Sequence, residues 1–467
     1  MQENENKGLN LGLRSFLMAI LVIFALMVAA YLLTVLIPGG SYSRVLDGNG
    51  NWIVDTAAGF TYTQGGIPFW KWLLSPVLVL SASGSGTLIA VIVFLLVIGG
   101  VFNCLDRCGL MKYMLSKATS RFSAVRYRLM AVVSLIFMAM GTMIGSFEEC
   151  VPLVPIVVAL AVELGWDALT GIGMSLLAAG CGFAAGVCNP FTVGVAQQLA
   201  GLPMFSGAWL RLLSFLAIYL LLNLFLRSYA KKIERPLESV VSGAKFTADA
   251  SMDKGLNCFL IILGVGIATI LCSGFITALQ DYTMIIVAVM FLAAGVSATL
   301  LCGVRGKDLA INALEGVTNI LPAVLMILMA SSIRYTLEEA KVLDTILHEA
   351  VILAQKLPNW TVILFIYLVV LVMNFFIPSG SAKAFMLIPL IVPMAQVFGL
   401  SSQLCVVAFA FGDGFSNVFY PTNPALLIAL GLADVSYGDW FRWSGKFQFM
   451  NLILTSLILI FGLAVGY

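Results

Sequence analysis

The chain is a succession of apolar windows, each about 20 residues long, the length a helix needs to cross a bilayer. They lie at 16–37, 86–103, 168–200 (interrupted), 208–226, 257–277, 283–302, 314–333, 403–433 (interrupted) and 447–466. Two further segments, 129–163 and 360–398, read as pairs of apolar arms joined by a polar tip rich in Gly, Pro and Ser. The windows are continuous rather than alternating, which argues against a barrel. In hydrocarbon a backbone must satisfy its own polar groups, and a helix does so. Composition agrees: 61% of residues are hydrophobic and 10% charged, against about 25% charged in soluble domains. Mean hydropathy is +1.04. The expected fold class is an all-α polytopic membrane protein.

A net charge of +2 is too small to point to nucleic acid. The nine cysteines form no CxxC pair, and the one-turn spacing of Cys104 and Cys108 reads as packing. With His348 as the only histidine, a histidine-based metal or catalytic site has nothing to build with. The chain therefore reads as no enzyme. A Gly-rich phosphate loop ending in Lys-Ser/Thr is also missing, which argues against direct ATP drive.

Orientation follows the basic residues. Residues 1–15 form a polar tail, and the run at 16–37 is too long for a cleaved signal core. Segment 104–128 carries Arg107, Lys112, Lys117, Arg121, Arg126 and Arg128, and linker 227–256 carries Arg227, Lys231, Lys232, Arg235, Lys245 and Lys254. Both are expected inside, as is the N-terminus. Loops 38–68 and 334–358 are acidic or balanced and are expected outside.

The two halves match. Gly180-Cys181-Gly182-Phe183 resembles Gly412-Asp413-Gly414-Phe415, Asn189-Pro190 resembles Asn423-Pro424, and Gly207-Ala208-Trp209-Leu210-Arg211 resembles Gly438-Asp439-Trp440-Phe441-Arg442. Gly145-Ser146-Phe147-Glu148 falls opposite Gly380-Ser381-Ala382-Lys383. Order and offset are nearly constant, and the charge argument sets the halves in opposite orientations. The expected division is a first inverted repeat at 16–226, a linker with a linking helix at 227–282, and a second inverted repeat at 283–467. Inverted repeats with broken helices are the pattern of secondary transporters, with the site near the midplane.

The candidate site follows from polar groups placed where they are costly. A charge at bilayer depth costs at least roughly 2.5 kcal/mol. Glu148 and Glu149 sit at the first tip beside Ser146, where they suit a cationic group or coupling to H⁺ or Na⁺; the alternatives are an ion pair with Lys383 or a tip that simply reaches the cytoplasm. Lys383, at the second tip after Ser379 and Ser381, binds a substrate carboxylate or neutralises a glutamate. Asp413 is a second cation or proton site. Asn189 and Asn423 precede prolines that break their helices, offering free N–H groups to a carboxylate. Asn374, Asn417 and Thr422 supply neutral hydrogen bonds to a polar solute, or join helices.

The combination of Gly145-Ser146-Phe147-Glu148-Glu149, Asn189-Pro190-Phe191, Pro378-Ser379-Gly380-Ser381-Ala382-Lys383 and Phe411-Gly412-Asp413-Gly414-Phe415-Ser416-Asn417 through Pro421-Thr422 resembles the YfcC-like family of the anaerobic dicarboxylate carrier group. The resemblance runs over nearly the whole chain. It implies an elevator-type carrier in a bacterial inner membrane, a homodimer, with re-entrant hairpins at 129–163 and 360–398 and broken helices at 168–200 and 403–433. It also implies a basic amino acid antiporter of arginine/ornithine type, or a carrier of dicarboxylates. No cofactor is expected beyond a coupling ion. The charge pattern, three acids against Lys383, suits a cationic amino acid better than a free dicarboxylate.

Overall fold

The computed structural model describes residues 13–46, 52–55, 59–82, 85–144, 148–235, 249–273 and 283–467. The apolar windows are helices, as the backbone's need for internal partners requires. Helix α1 spans Leu13–Leu36, α2 Ser85–Arg107, α3 Leu110–Phe122, α4 Arg126–Ile144 and α5 Val154–Glu163. Helix α6 spans Ala168–Ala185, α7 Val195–Leu199 and α8 Ala208–Ile233. Beyond the linker lie α9 Ala250–Ser273, α10 Thr283–Leu301, α11 Lys307–Glu339 and α12 Val342–Ala354. The chain closes with α13 Asn359–Phe376, α14 Gly380–Val397, α15 Ser402–Gly414, α16 Pro424–Leu432 and α17 Tyr437–Ala464. Seven helices among the described residues are long and apolar enough to cross a membrane.

Several helices outrun their windows. Helix α11 extends the expected 314–333 at both ends, and α17 starts ten residues before 447. Their added turns hold Lys307, Asp308, Asp439 and Arg442, polar residues that continue the helical hydrogen-bond ladder. The expected outer loop 38–68 is not all coil. Strands β1 Gly40–Tyr42 and β4 Phe60–Tyr62 pair antiparallel, as do β2 Arg44–Leu46 and β3 Trp52–Val54. Strand β1 sits on α12 and β3 on α14. Asp344 accepts from the Tyr42 N–H (3.1 Å) and pairs with Arg44 (3.2 Å). The His348 ring stacks on Phe60 at 4.0 Å and bonds the Tyr42 hydroxyl at 2.9 Å. The one histidine is thus held between the first ribbon and α12. Burial, with Asp344 nearby, pushes the Tyr42 hydroxyl up to about 12.

The first expected hairpin comprises α4 and α5, the latter entered through a 3₁₀ turn at Glu148–Leu153. Its two outer ends meet: Arg126 donates to the Leu164 carbonyl at 3.1 Å and pairs with Glu234 at 2.8 Å. Residues 145–147, which include Ser146, and the Glu148 and Glu149 side chains lie outside the described residues.

Both interrupted segments are broken as expected. Helix α6 starts on an Asp167 cap and α15 on a Ser401 cap. Helix α6 stops at Gly186, whose φ of +55° suits glycine. Thr142 of α4 then satisfies the next donors, its hydroxyl accepting from the Val187 N–H (2.8 Å) and its carbonyl from the Cys188 N–H (3.3 Å). A single π turn, Pro190–Gly194, leads into α7. In the second half α15 tightens through Phe415–Val418 and reopens at Pro424.

Close backbone approach holds this centre together, as packing in lipid requires. A Cβ on Gly182 of α6 would overlap the Met138 carbonyl of α4, and one on Gly141 the Ala179 carbonyl. Gly180 meets Val418, and Gly414 meets Ala184, where the two broken segments cross. After each break the chain packs on the opposite half's hairpin: 190–199 on α14, and α16 on the 148–153 turn and α5. Helices α1, α2, α10 and α11 pack together beside this centre.

Gly182→Ala is expected to lower stability by about 1–3 kcal/mol through overpacking against backbone. Gly264→Ala in α9, with nothing within 4 Å of the added carbon, should leave melting in detergent unchanged or slightly raised. Equal melting temperatures for both variants would contradict the close α4–α6 contact.

Candidate functional site

The polar centre of the second half is built on three elements. The last turn of α13 supplies Asn374, and its C-cap residue Ile377 a main-chain carbonyl. Helix α14 supplies Lys383 from its first turn, and α15 supplies Asp413. The Lys383 ammonium and the Asp413 carboxylate are 2.6 Å apart, both with 0% exposure. The ammonium also donates to the Ile377 carbonyl at 3.0 Å and to the Asn374 side-chain oxygen. Its three donors thus meet three oxygens.

Among the described residues the charged partner of Lys383 is Asp413, thirty residues along the chain. The physical reason is local. A lysine in a helix's first turn faces the positive end of the dipole, so its side chain bends back to the negative end of α13 and to the nearest carboxylate.

A run of amides extends from the pair. The Asn374 amide donates to the Asp413 carbonyl (3.0 Å), the Ser416 hydroxyl (2.6 Å) and the Asn417 oxygen (3.0 Å). Asn423 donates to the same Asn417 oxygen at 3.0 Å, and its own oxygen caps the Ala425 N–H at 2.9 Å. The structure therefore joins Asn374, Lys383, Asp413, Asn417 and Asn423, all buried. In the other half, Asn189 caps its break similarly, accepting from the Thr192 N–H at 3.2 Å. Both break asparagines thus occupy part of the N–H set that the sequence offers to a ligand.

Three polar atoms at this centre are buried without a hydrogen-bond partner: Asp413 Oδ2, Thr192 Oγ1 and Thr422 Oγ1. Asp413 Oδ2 and the Thr192 methyl both lie against Gly380, where an added Cβ would come within 2.7 Å of the carboxylate oxygen. Ser379 precedes α14 at the cap position without a side-chain bond, and Ser381 is half-buried. Neither joins the network. Among the described residues no three His, Cys, Asp or Glu side chains converge as a metal site.

Sequence reasoning missed Ser416, Thr192 and Arg211. Arg211 of α8 is fully buried behind the first break, donating to the carbonyls of Val187 (3.4 Å) and Phe205 (3.1 Å), while its Nε and Nη1 have no hydrogen-bond partner. Its signal was available: it ends one of the repeated sequence blocks. The mate, Arg442, is exposed, so the repeat alone could not say which arginine turns inward.

The family described as C4-dicarboxylate anaerobic carrier, DcuC, matches residues 16–464. An Escherichia coli protein named "Putative basic amino acid antiporter YfcC" is 28% identical over 411 residues, covering 83% of this chain and 80% of that one. Two solved structures are similar along most of the chain. The YdaH transporter of Alcanivorax borkumensis, described as having an unusual topology, has a TM-score of 0.45 and 17% identity, with 97% and 99% of the two chains covered. MtrF of Neisseria gonorrhoeae, assigned to a class of antimetabolite efflux pumps, has a TM-score of 0.45 and 16% identity, with 95% and 94% covered.

Removing either partner of the buried pair strands the other charge, at a cost of about 3–5 kcal/mol. In sodium-free detergent, Lys383→Ala and Asp413→Ala should each melt well below the wild type. The double variant should lose less than the sum of the two. Simple additivity would show that the two charges are not coupled.

Proposed function

Because this chain belongs to the C4-dicarboxylate anaerobic carrier family and is a multi-pass membrane transporter, we propose that it exchanges basic amino acids of the arginine/ornithine type by secondary transport. The observation that carries the reading is the Lys383–Asp413 pair. The lysine's charge is already matched, so it is not a spare cation for a dicarboxylate. The first hairpin turn, which holds Glu148 and Glu149, packs against α16 of the other half. Two carboxylates at that turn suit a cationic side chain, and the substrate's own carboxylate suits a half-helix N-terminus. The similarity to a protein named as a basic amino acid antiporter supports the same choice.

An elevator mechanism fits the packing. Each half-helix after a break lies on the opposite hairpin, so hairpins and broken segments form a unit that can move against α1, α2, α10 and α11. On this reading the chain is two inverted repeats, 16–226 and 283–467, works as a homodimer in the bacterial inner membrane, and keeps its N-terminus in the cytoplasm. Exchange follows from charge: an empty carrier would have to take uncompensated carboxylates through the bilayer, which is costly.

One observation favours a second reading, an organic-anion carrier. Arg211 is a buried cation with two nitrogens unpartnered, and the family is described by its dicarboxylates.

Counterflow in proteoliposomes separates the two. Vesicles are loaded with unlabelled arginine or ornithine and given labelled arginine, with fumarate run in parallel. Trans-stimulated arginine uptake is expected, and Glu148→Gln or Glu149→Gln should lower it about tenfold or more, the loss of one charge-assisted bond. Fumarate uptake without an arginine signal, abolished by Arg211→Gln, would establish the anion carrier instead.

A further inference from the structure

We propose that Lys383 is a tethered cation: its ammonium fills an oxygen-lined monovalent-cation site inside the protein, so that transport runs without bound sodium. This deepens the exchange reading by naming how the cation requirement of the second half is met.

The argument starts from the ligands. The ammonium is held by a carboxylate oxygen (Asp413), a side-chain amide oxygen (Asn374) and a main-chain carbonyl (Ile377). Oxygens of these kinds, and carbonyls at helix C-terminal ends and unwound backbone above all, coordinate Na⁺ at broken helices of secondary transporters. Ile377 is such a carbonyl, since it caps the C-terminal end of α13. The ammonium matches the set donor for acceptor and charge for charge, and both charged groups are fully buried.

The lysine's own position adds to this. It belongs to the first turn of α14, where a positive charge is disfavoured by the helix dipole, and a neutral residue would serve the helix better. Its placement is explained by what its far end does. Oxygen capacity also remains at the site. Asp413 Oδ2, with no partner, lies against Gly380, and so does Thr192, whose hydroxyl has none. Removing the ammonium would leave a buried carboxylate among amide, carbonyl and hydroxyl oxygens. That is an environment for a small hard cation, and a costly one if it stays empty.

The test is binding on purified protein and needs no substrate. Wild type and Lys383→Ala are melted in sodium, potassium, lithium or choline chloride at equal ionic strength. The wild type is expected to melt alike in all four. Lys383→Ala should melt low in choline and rise saturably, by about 3 °C or more, with one of the alkali cations. Adding Asp413→Asn to that variant should abolish the rise. A folded Lys383→Ala protein indifferent to every alkali cation would overturn the proposal, as would a saturable alkali-cation response in the wild type. Should Lys383→Ala not survive extraction in choline, recovery in an alkali chloride counts for the proposal and loss in every salt against it. Absence of arginine counterflow would sink the substrate reading alone, because these melting responses do not involve substrate.

Discussion

The second half of this protein closes around a single buried ion pair. Apolar packing is non-directional and between lipid-bathed helices supplies little driving force of its own. It cannot by itself fix the depth at which α13, α14 and α15 meet. The Lys383 ammonium can, because its three acceptors come from two of those helices and its stem from the third. Sliding any one of them would leave a charge or a carbonyl unpaired in a low-dielectric interior, where the penalty is several kcal/mol. Electrostatics sets the register, and packing then fills the space around it.

What packs there is small. Gly380 makes room for the Asp413 carboxylate, Gly414 for the Ala184 backbone and Gly180 for Val418. These three positions belong to one hairpin tip and the two broken segments. The same glycines that let the halves approach also let a carboxylate sit beside a helix start. Close packing and site geometry are one requirement met by one residue type, which is why the glycine blocks repeat in both halves.

Much of the fold was legible because the bilayer's demand on the backbone is written residue by residue. Continuous apolar windows, the Asn-Pro breaks and the second polar tip appear where the sequence places them. Helix ends were less legible: α11 and α17 run past their windows, since Lys307, Asp308 and Asp439 extend a helix without adding hydropathy. The short strands at 40–62 have no clear alternation to announce them and depend on α12 and α14 for support. At the site, Lys383 and Asp413 were individually visible as charges out of place. Their partnership was not, because a single chain does not show which charges face across thirty intervening residues. Arg211 read as part of a repeat block rather than as a buried cation, and Ser416 as part of a motif.

The asparagines show why the pair matters beyond its own position. Asn417 accepts from both Asn374 and Asn423 on one oxygen, using both lone pairs of that atom. Asn374 must then keep its oxygen toward the ammonium, and Asn423 its oxygen toward the Ala425 N–H. Turning any one amide would set donor against donor. The arrangement is therefore single-valued while the ammonium is in place. It runs from the second hairpin tip to the cap of α16, the helix that packs on the turn bearing Glu148 and Glu149. A change in what occupies the Lys383 cradle is consequently felt, through three amides, at the start of the helix that contacts the first hairpin. That physical connection between the two halves is carried by hydrogen bonds whose direction the buried charge dictates.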